Sequence, residues 1–220
     1  MKRYALYYAP PAGPLADTAA HWLGRDAITG APLTQPDPGL EPVTASARRY
    51  GFHATIKAPF ALADGTTAED LLAAVDIFAA GAAPFAIDGL AVDLMGPFLA
   101  LTPRGDTAPL QAFAAQVVRR FDRFRAPLSA RDRARRNPDA LTERQRMHLD
   151  AWGYPWVFDD FRFHMTLSDA LTEAQQHRFR PMADALFTPL LPRPFVIGAI
   201  SVFAEGDDGV FHHLHRAPLG

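Results

Sequence analysis

Arg49-Tyr50-Gly51-Phe52-His53-Ala54-Thr55-Ile56-Lys57-Ala58-Pro59-Phe60 is the stretch on which the fold turns, because its centre returns at Phe163-His164-Met165-Thr166-Leu167. Both copies read Phe-His-x-Thr-aliphatic. Alternate side chains of a β-strand share a face, so His53, Thr55 and Lys57 are expected to project one way while Phe52, Ala54 and Ile56 pack the other. The second copy sorts in the same manner, with Arg162, His164, Thr166 and Ser168 polar and Phe163, Met165 and Leu167 apolar. Two such strands would line one polar groove over an apolar floor.

The segments downstream of the two copies repeat as well. Thr67-Ala68-Glu69-Asp70 opens a helix with a near capping box, and Thr172-Glu173-Ala174-Gln175 opens another with the usual Gln in fourth place. Pro84-Phe85-Ala86-Ile87 and Pro194-Phe195-Val196-Ile197 then begin matching hairpins, closed by Phe98 to Thr102 in one half and Val210 to His215 in the other. Strand, helix and hairpin therefore occur twice, in units of about 48–103 and 159–216, with a helical insertion at about 107–153 between them. We expect one α+β domain, its two pseudo-twofold lobes of largely antiparallel sheet meeting around a central groove. Upstream, Tyr4 to Ala9 reads as a strand with Tyr4, Leu6 and Tyr8 on its core face, Leu15 to Gly24 as a short helix, and residues 26–47 as a proline-rich loop.

Composition narrows the function. A chain of 220 residues, 49% hydrophobic, can bury a substantial core. Its net charge of −2 gives no general attraction to polyanions, which argues against a long nucleic acid and makes any phosphate recognition local. There is no cysteine, so thiolate metal sites, a Cys nucleophile and a disulfide framework are excluded. The start, Met1-Lys2-Arg3-Tyr4, carries no apolar signal run, and no stretch approaches a membrane span; a cytoplasmic protein without membrane contact is the expectation. Nothing in the pattern dictates an oligomeric state. Gly-x-Ser-x-Gly, Gly-x-Gly-x-x-Gly and the ATP-cradling Gly-x-x-x-x-Gly-Lys-Ser/Thr loop are all missing.

The repeated His and Thr carry their own chemistry. Hydrolysis of a phosphodiester needs one group to take a proton from the attacking oxygen and another to give one to the leaving oxygen. Imidazole does both near neutral pH. His53 and His164 are thus the catalytic candidates, Thr55 and Thr166 donors to the phosphate oxygens, and Lys57, Arg162 and Tyr50 further substrate contacts. The scheme requires no metal and no cofactor. A lone strand histidine is more often structural than catalytic, but two copies of one polar face at equivalent positions of a repeat are hard to attribute to packing. The arginines of the insertion read either as a solvated helix surface or as one or two phosphate ligands. His212, His213 and His215 read as an exposed polar edge rather than a metal site.

Paired His-x-Thr-aliphatic motifs half a chain apart resemble the 2H phosphoesterase superfamily, which includes RNA 2′,3′-cyclic phosphodiesterases. The longer strings Arg48 to Phe60 and Phe161-Arg162-Phe163-His164-Met165-Thr166-Leu167 are similar to its DUF1045 branch, associated with phosphonate metabolism. The resemblance implies catalytic roles for His53 and His164 with Thr55 and Thr166 beside them. It implies a small phosphorylated substrate such as a sugar or nucleotide cyclic phosphate, 5-phosphoribosyl 1,2-cyclic phosphate among them. Two alternatives are an RNA 2′,3′-cyclic phosphodiesterase or ligase-like enzyme and a noncatalytic nucleotide- or RNA-binding module.

Overall fold

A computed structural model describes residues 1–220. In chain order the elements are β1 (Tyr4–Tyr8), α1 (Pro14–Leu23), α2 (Ala45–Tyr50), β2 (Ala54–Phe60), α3 (Ala68–Ala80), β3 (Phe85–Ile87), β4 (Gly89–Met95), β5 (Phe98–Arg104), α4 (Ala108–Phe121), α5 (Ala130–Ala134), α6 (Glu143–Trp152), β6 (Met165–Thr166), α7 (Glu173–Phe187), β7 (Phe195–Ile197), β8 (Ala199–Glu205) and β9 (Phe211–Pro218). No helix is long and apolar enough to cross a membrane.

Seven strands form one antiparallel sheet in the order β4-β5-β6-β2-β1-β8-β9, so the two motif strands, β6 and β2, are neighbours at its centre. Their shared pair is Ala54 opposite Met165, the middle residue of each motif. A pseudo-twofold axis through that pair exchanges β2 with β6, β1 with β5, and β8 with β4. The small sheet obeys the same axis: Phe85 pairs Ile197, Ala86 pairs Val196 and Ile87 pairs Phe195. Each symmetric unit of the sheet therefore begins one strand earlier than the 48–103 and 159–216 phasing suggests, at β1 and at β5, and β9 lies outside the repeat. The sequence pattern conceals this because β1 and β5 share no motif, whereas β5 and β9 both close a hairpin.

The large core lies where α3, α4 and α7 cover one face, and Tyr4, Leu6 and Tyr8 point into it as expected. Ala5, Tyr7 and Ala9 point the other way and join Phe203 and Phe211 in a second, smaller cluster. Capping boxes at Thr67/Asp70 and Thr172/Gln175 start α3 and α7 as the sequence indicates. Residues 26–47 are less open than a plain loop: a 3-10 turn occupies Pro38–Val43 and α2 begins at Ala45. Consequently Arg48, Arg49 and Tyr50 are helical, and His53 sits at a helix-to-strand junction one residue before β2.

That junction requires glycine. Gly51 has φ 74°, and a Cβ there would lie 2.5 Å from the Cβ of Ala27. The junction is also tied to the second motif. The Asp169 carboxylate, three residues past Thr166, accepts from Ser46 N and Ala47 N and so caps the first turn of α2. The Trp22 indole donates to Leu167 O at 2.7 Å, fixing the end of β6 from α1.

Strand alternation fails at one residue that matters. Tyr7 is opposite Thr55 but Leu6 is opposite Lys57, so β2 carries a bulge at Ile56 that reverses the faces beyond it. Lys57, expected beside His53, turns instead into the helical layer, where it is 4% exposed and its Nζ lies 2.9 Å from Asp122 Oδ1 at the end of α4. Asp122→Ala strands a buried ammonium, and a loss of about 3–5 kcal/mol in urea unfolding is expected. Adding Lys57→Met should recover most of it. A double variant no more stable than Asp122→Ala would show that the pair is not what holds this corner.

Candidate active site

The central pair sets the geometry. With Ala54 opposite Met165, antiparallel register puts His53 beside Thr166 and Thr55 beside His164, all four on one face. The two histidines are then diagonal neighbours, about 7–8 Å apart at the backbone. That distance allows both imidazoles to reach one tetrahedral group placed between them.

Both rings are held by the same device. His53 Nδ1 lies 2.8 Å from the carbonyl oxygen of Gly51, and His164 Nδ1 lies 2.8 Å from that of Arg162, each two residues upstream. A carbonyl can only accept, so Nδ1 carries the hydrogen and Nε2 is presented to the groove with its lone pair. His53 Nε2 is 3.2 Å from Thr55 Oγ1.

The surroundings of the rings differ. Tyr7, 1% exposed, stacks under His53 with ring centroids 3.7 Å apart. Its counterpart across the axis is Ala100, which pairs Thr166 as Tyr7 pairs Thr55, so His164 has no aromatic floor and meets only Phe98, at 5.8 Å. Burial pushes the His53 imidazole down to about 4, against the pull of the Gly51 carbonyl and with the charge of His164 adding to the fall. Burial also lowers His164, opposed by the Arg162 carbonyl. Burial therefore disfavours the protonated form of both rings.

A groove of about 860 Å³ opens over this face, lined by His53, Thr55, Thr166, Tyr7 and Tyr50, while His164 is not among its lining residues. Tyr50 takes the expected place, stacked on Phe211 at 4.9 Å and 6.2 Å from the His53 ring. Arg162 does not line the groove. It is exposed, its Nη1 is taken up by the carbonyls of Asp159 and Phe161, and what it gives the site is its own carbonyl to His164. Ser168 is buried and closes the strand end, accepting from Leu99 N and donating to Asp169 O.

The groove's charge comes from elsewhere. Lys2, Arg3 and Arg49 border one side, and Arg125, Arg131, Arg135 and Arg136 of the insertion the other, against only Asp132, Asp169 and Glu205. Glu205 holds Arg3 and Arg49 at 2.6 and 2.7 Å, and Asp122 holds Arg125 at 2.8 Å. Other arginines of the insertion are used internally, Arg133 on Asp150 and Arg144 on Asp160. Tyr7 could have been identified from strand parity alone, since it alternates with the core residues Leu6 and Tyr8. No local signal marks which arginines of a charge run will fold over a groove. The terminal histidines disperse: His212 contacts Arg25, His213 stacks on Phe203 and His215 bonds Asp76.

Known proteins resemble this chain in sequence, and solved structures align along its length. The family described as "Protein of unknown function (DUF1045)" matches residues 55–212. A protein named ribose 1,5-bisphosphate phosphokinase PhnN from Janthinobacterium sp. (strain Marseille) is 40% identical over 195 residues, covering 86% of this chain and 42% of that protein. One of the same name from Laribacter hongkongensis (strain HLHK9) is 32% identical over 219 residues, covering 97% and 51%. The chain thus spans about half the length of the curated relatives it matches. Among solved structures, TT0787 of Thermus thermophilus aligns with a TM-score of 0.44 at 14% identity over 99% of this chain and 97% of that one. LigT of E. coli complexed with 3′-AMP aligns with 0.46 at 14% identity over 99% and 98%.

The buried imidazole has a thermodynamic signature. His53 takes a proton near 6.5 when unfolded but only near 4 when folded, so between these values the unfolded chain binds more protons and stability falls as pH falls. Above about 6.5 the contribution is fully present. Relative to His53→Gln, the wild type should lose up to about 3 kcal/mol between pH 7 and pH 4. Unfolding curves for the two proteins that stay parallel across this range would contradict the assignment.

Proposed function

We propose a function from the premise that this chain belongs to the DUF1045 family. It is a phosphoesterase of the two-histidine kind, hydrolysing a small cyclic phosphodiester without a metal ion. The observation that carries the reading is the paired Ala54 and Met165, which gives two imidazoles with tied Nδ1 atoms and two threonine hydroxyls one shared space. A binding module needs phosphate donors but has no use for two proton carriers with matched tautomers.

The chemistry follows from the difference between the rings. His53, kept neutral, takes a proton through Nε2 from a water as its oxygen forms a bond to phosphorus. His164, protonated once the anionic phosphate is in place, gives its proton to the ester oxygen as that phosphorus–oxygen bond breaks. Thr55 and Thr166 donate to the nonbridging oxygens. The product is a phosphomonoester with a freed hydroxyl, and the two histidines exchange protons with solvent to start again.

The ribose 1,5-bisphosphate in the relatives' name supports a phosphosugar as the substrate, and we propose phosphonate breakdown in the cytoplasm as its setting. The phosphotransfer in that name is not assigned to this chain, which has no loop to cradle ATP. The cationic groove lends some weight to the alternative, an RNA 2′,3′-cyclic phosphodiesterase, and salt separates the two. A small substrate engages one or two phosphates and its affinity falls modestly with salt, while a strand engaging many falls steeply.

His53→Ala and His164→Ala should each lower turnover of a cyclic phosphate by about 10²–10⁴-fold. The double variant should be far less impaired than the product of the two, because both act in one proton cycle. Activity should persist in chelator. Near-full turnover by either single variant removes that residue from the mechanism, and tight, steeply salt-dependent binding of a long RNA to His53→Ala returns the RNA reading to first place.

A further inference from the structure

The groove holds more positive charge than hydrolysis of one cyclic phosphate needs, and not all of it is spent within the protein. Arg3, Arg49 and Arg125 are committed to Glu205 and Asp122. Lys2 donates to the carbonyl of Asp207. Arg135 lies 3.6 Å from Asp132, a loose pair. Arg131 lines the groove and its side chain makes no ion pair or hydrogen bond, and Arg136 has no carboxylate, only the face of Tyr154 with its guanidinium carbon 4.9 Å from the ring centre. Two guanidiniums on consecutive turns of chain, at and just beyond α5, thus face the cavity without a carboxylate partner.

Both guanidiniums line the same groove as His53, Thr55 and Thr166. A groove of about 860 Å³ is much larger than a lone cyclic phosphate and falls in the range that holds a whole metabolite. A guanidinium fork matches phosphate oxygens, and a terminal monoester offers three such oxygens where an internal diester offers two.

We infer that Arg131 and Arg136 form a second phosphate subsite, so that the substrate bears a terminal phosphomonoester in addition to the cyclic diester placed between His53 and His164. This rests on the phosphoesterase reading for what occupies the histidine end, but not for the existence of the subsite. Tyr154 lines the same groove and carries the Arg136 guanidinium on its ring face. The reaction at the diester leaves the terminal phosphate untouched, so substrate and product both carry it and the subsite acts in positioning.

Two measurements test this separately. In the first, kcat/KM is compared for ribose 1,2-cyclic phosphate with and without a phosphate on carbon 5, and for a nucleoside 2′,3′-cyclic phosphate with and without a 5′-phosphate. At least one phosphorylated member should be preferred by the wild type by about tenfold to hundredfold, the scale of one or two charge-assisted hydrogen bonds. In Arg131→Ala and Arg136→Ala that ratio should collapse toward one, chiefly through KM, with Arg136→Lys recovering part of it. In the second, ribose 5-phosphate and ribose are titrated into His53→Ala by calorimetry. Binding of ribose 5-phosphate, absent for ribose and abolished by adding Arg136→Ala, supports the subsite even if no cyclic phosphate is turned over. No preference in the wild type, or a ratio unchanged in both arginine variants, overturns the inference, as does equal binding of the two sugars.

Discussion

One backbone pairing, Ala54 against Met165, is the constraint from which the site follows. It joins two half-sheets built from β1-β2 and β5-β6 into one, and because each residue is the middle of a His-x-Thr triplet, joining the halves also assembles the polar face. The pairing has little intrinsic strength, since β6 is only two residues long. It is held from outside, by the Trp22 indole on Leu167, by Asp169 capping α2, and by the β3-β7 ribbon that crosses the same axis. The stability of the sheet and the geometry of the His-Thr face therefore depend on the same contacts.

Much of this was legible in the residues. The alternation of Phe163, Met165 and Leu167 against His164 and Thr166 holds through the second strand, and the capping boxes mark where both long helices begin. Lys57 was misplaced because period-two reasoning assumes an unbroken ladder. A bulge is a property of two strands in register, and nothing in Thr55-Ile56-Lys57 reveals that β2 will leave Ile56 unpaired against β1 there. Arg162 follows the strand pattern, but a long side chain at an exposed strand end finds the nearest carbonyls. Four of the arginines that line the groove, Arg125, Arg131, Arg135 and Arg136, come from a segment more than sixty residues from the first motif, where only tertiary folding decides which charges turn inward.

The buried network behind the site has its own logic. Asp122 serves Lys57 on the motif strand and Arg125 on the groove wall at once, so one carboxylate ties the insertion to the sheet. Together with the buried apolar face of α4, Asp122 holds the insertion against the sheet. The bulge that removed Lys57 from the site thus supplied the anchor for the residues that replaced it.

The substitution of Ala100 for the aromatic that Tyr7 provides on the other side of the axis has a further consequence. A phosphate site with true twofold symmetry would accept a cyclic diester in two orientations and open either of its ester bonds, giving a mixture of isomeric products. A ring under one imidazole and a methyl group under the other make the two orientations unequal in shape and in proton affinity. For the proposed cyclic diester, the asymmetry of the floor would favour one orientation over the other, and with it one product isomer.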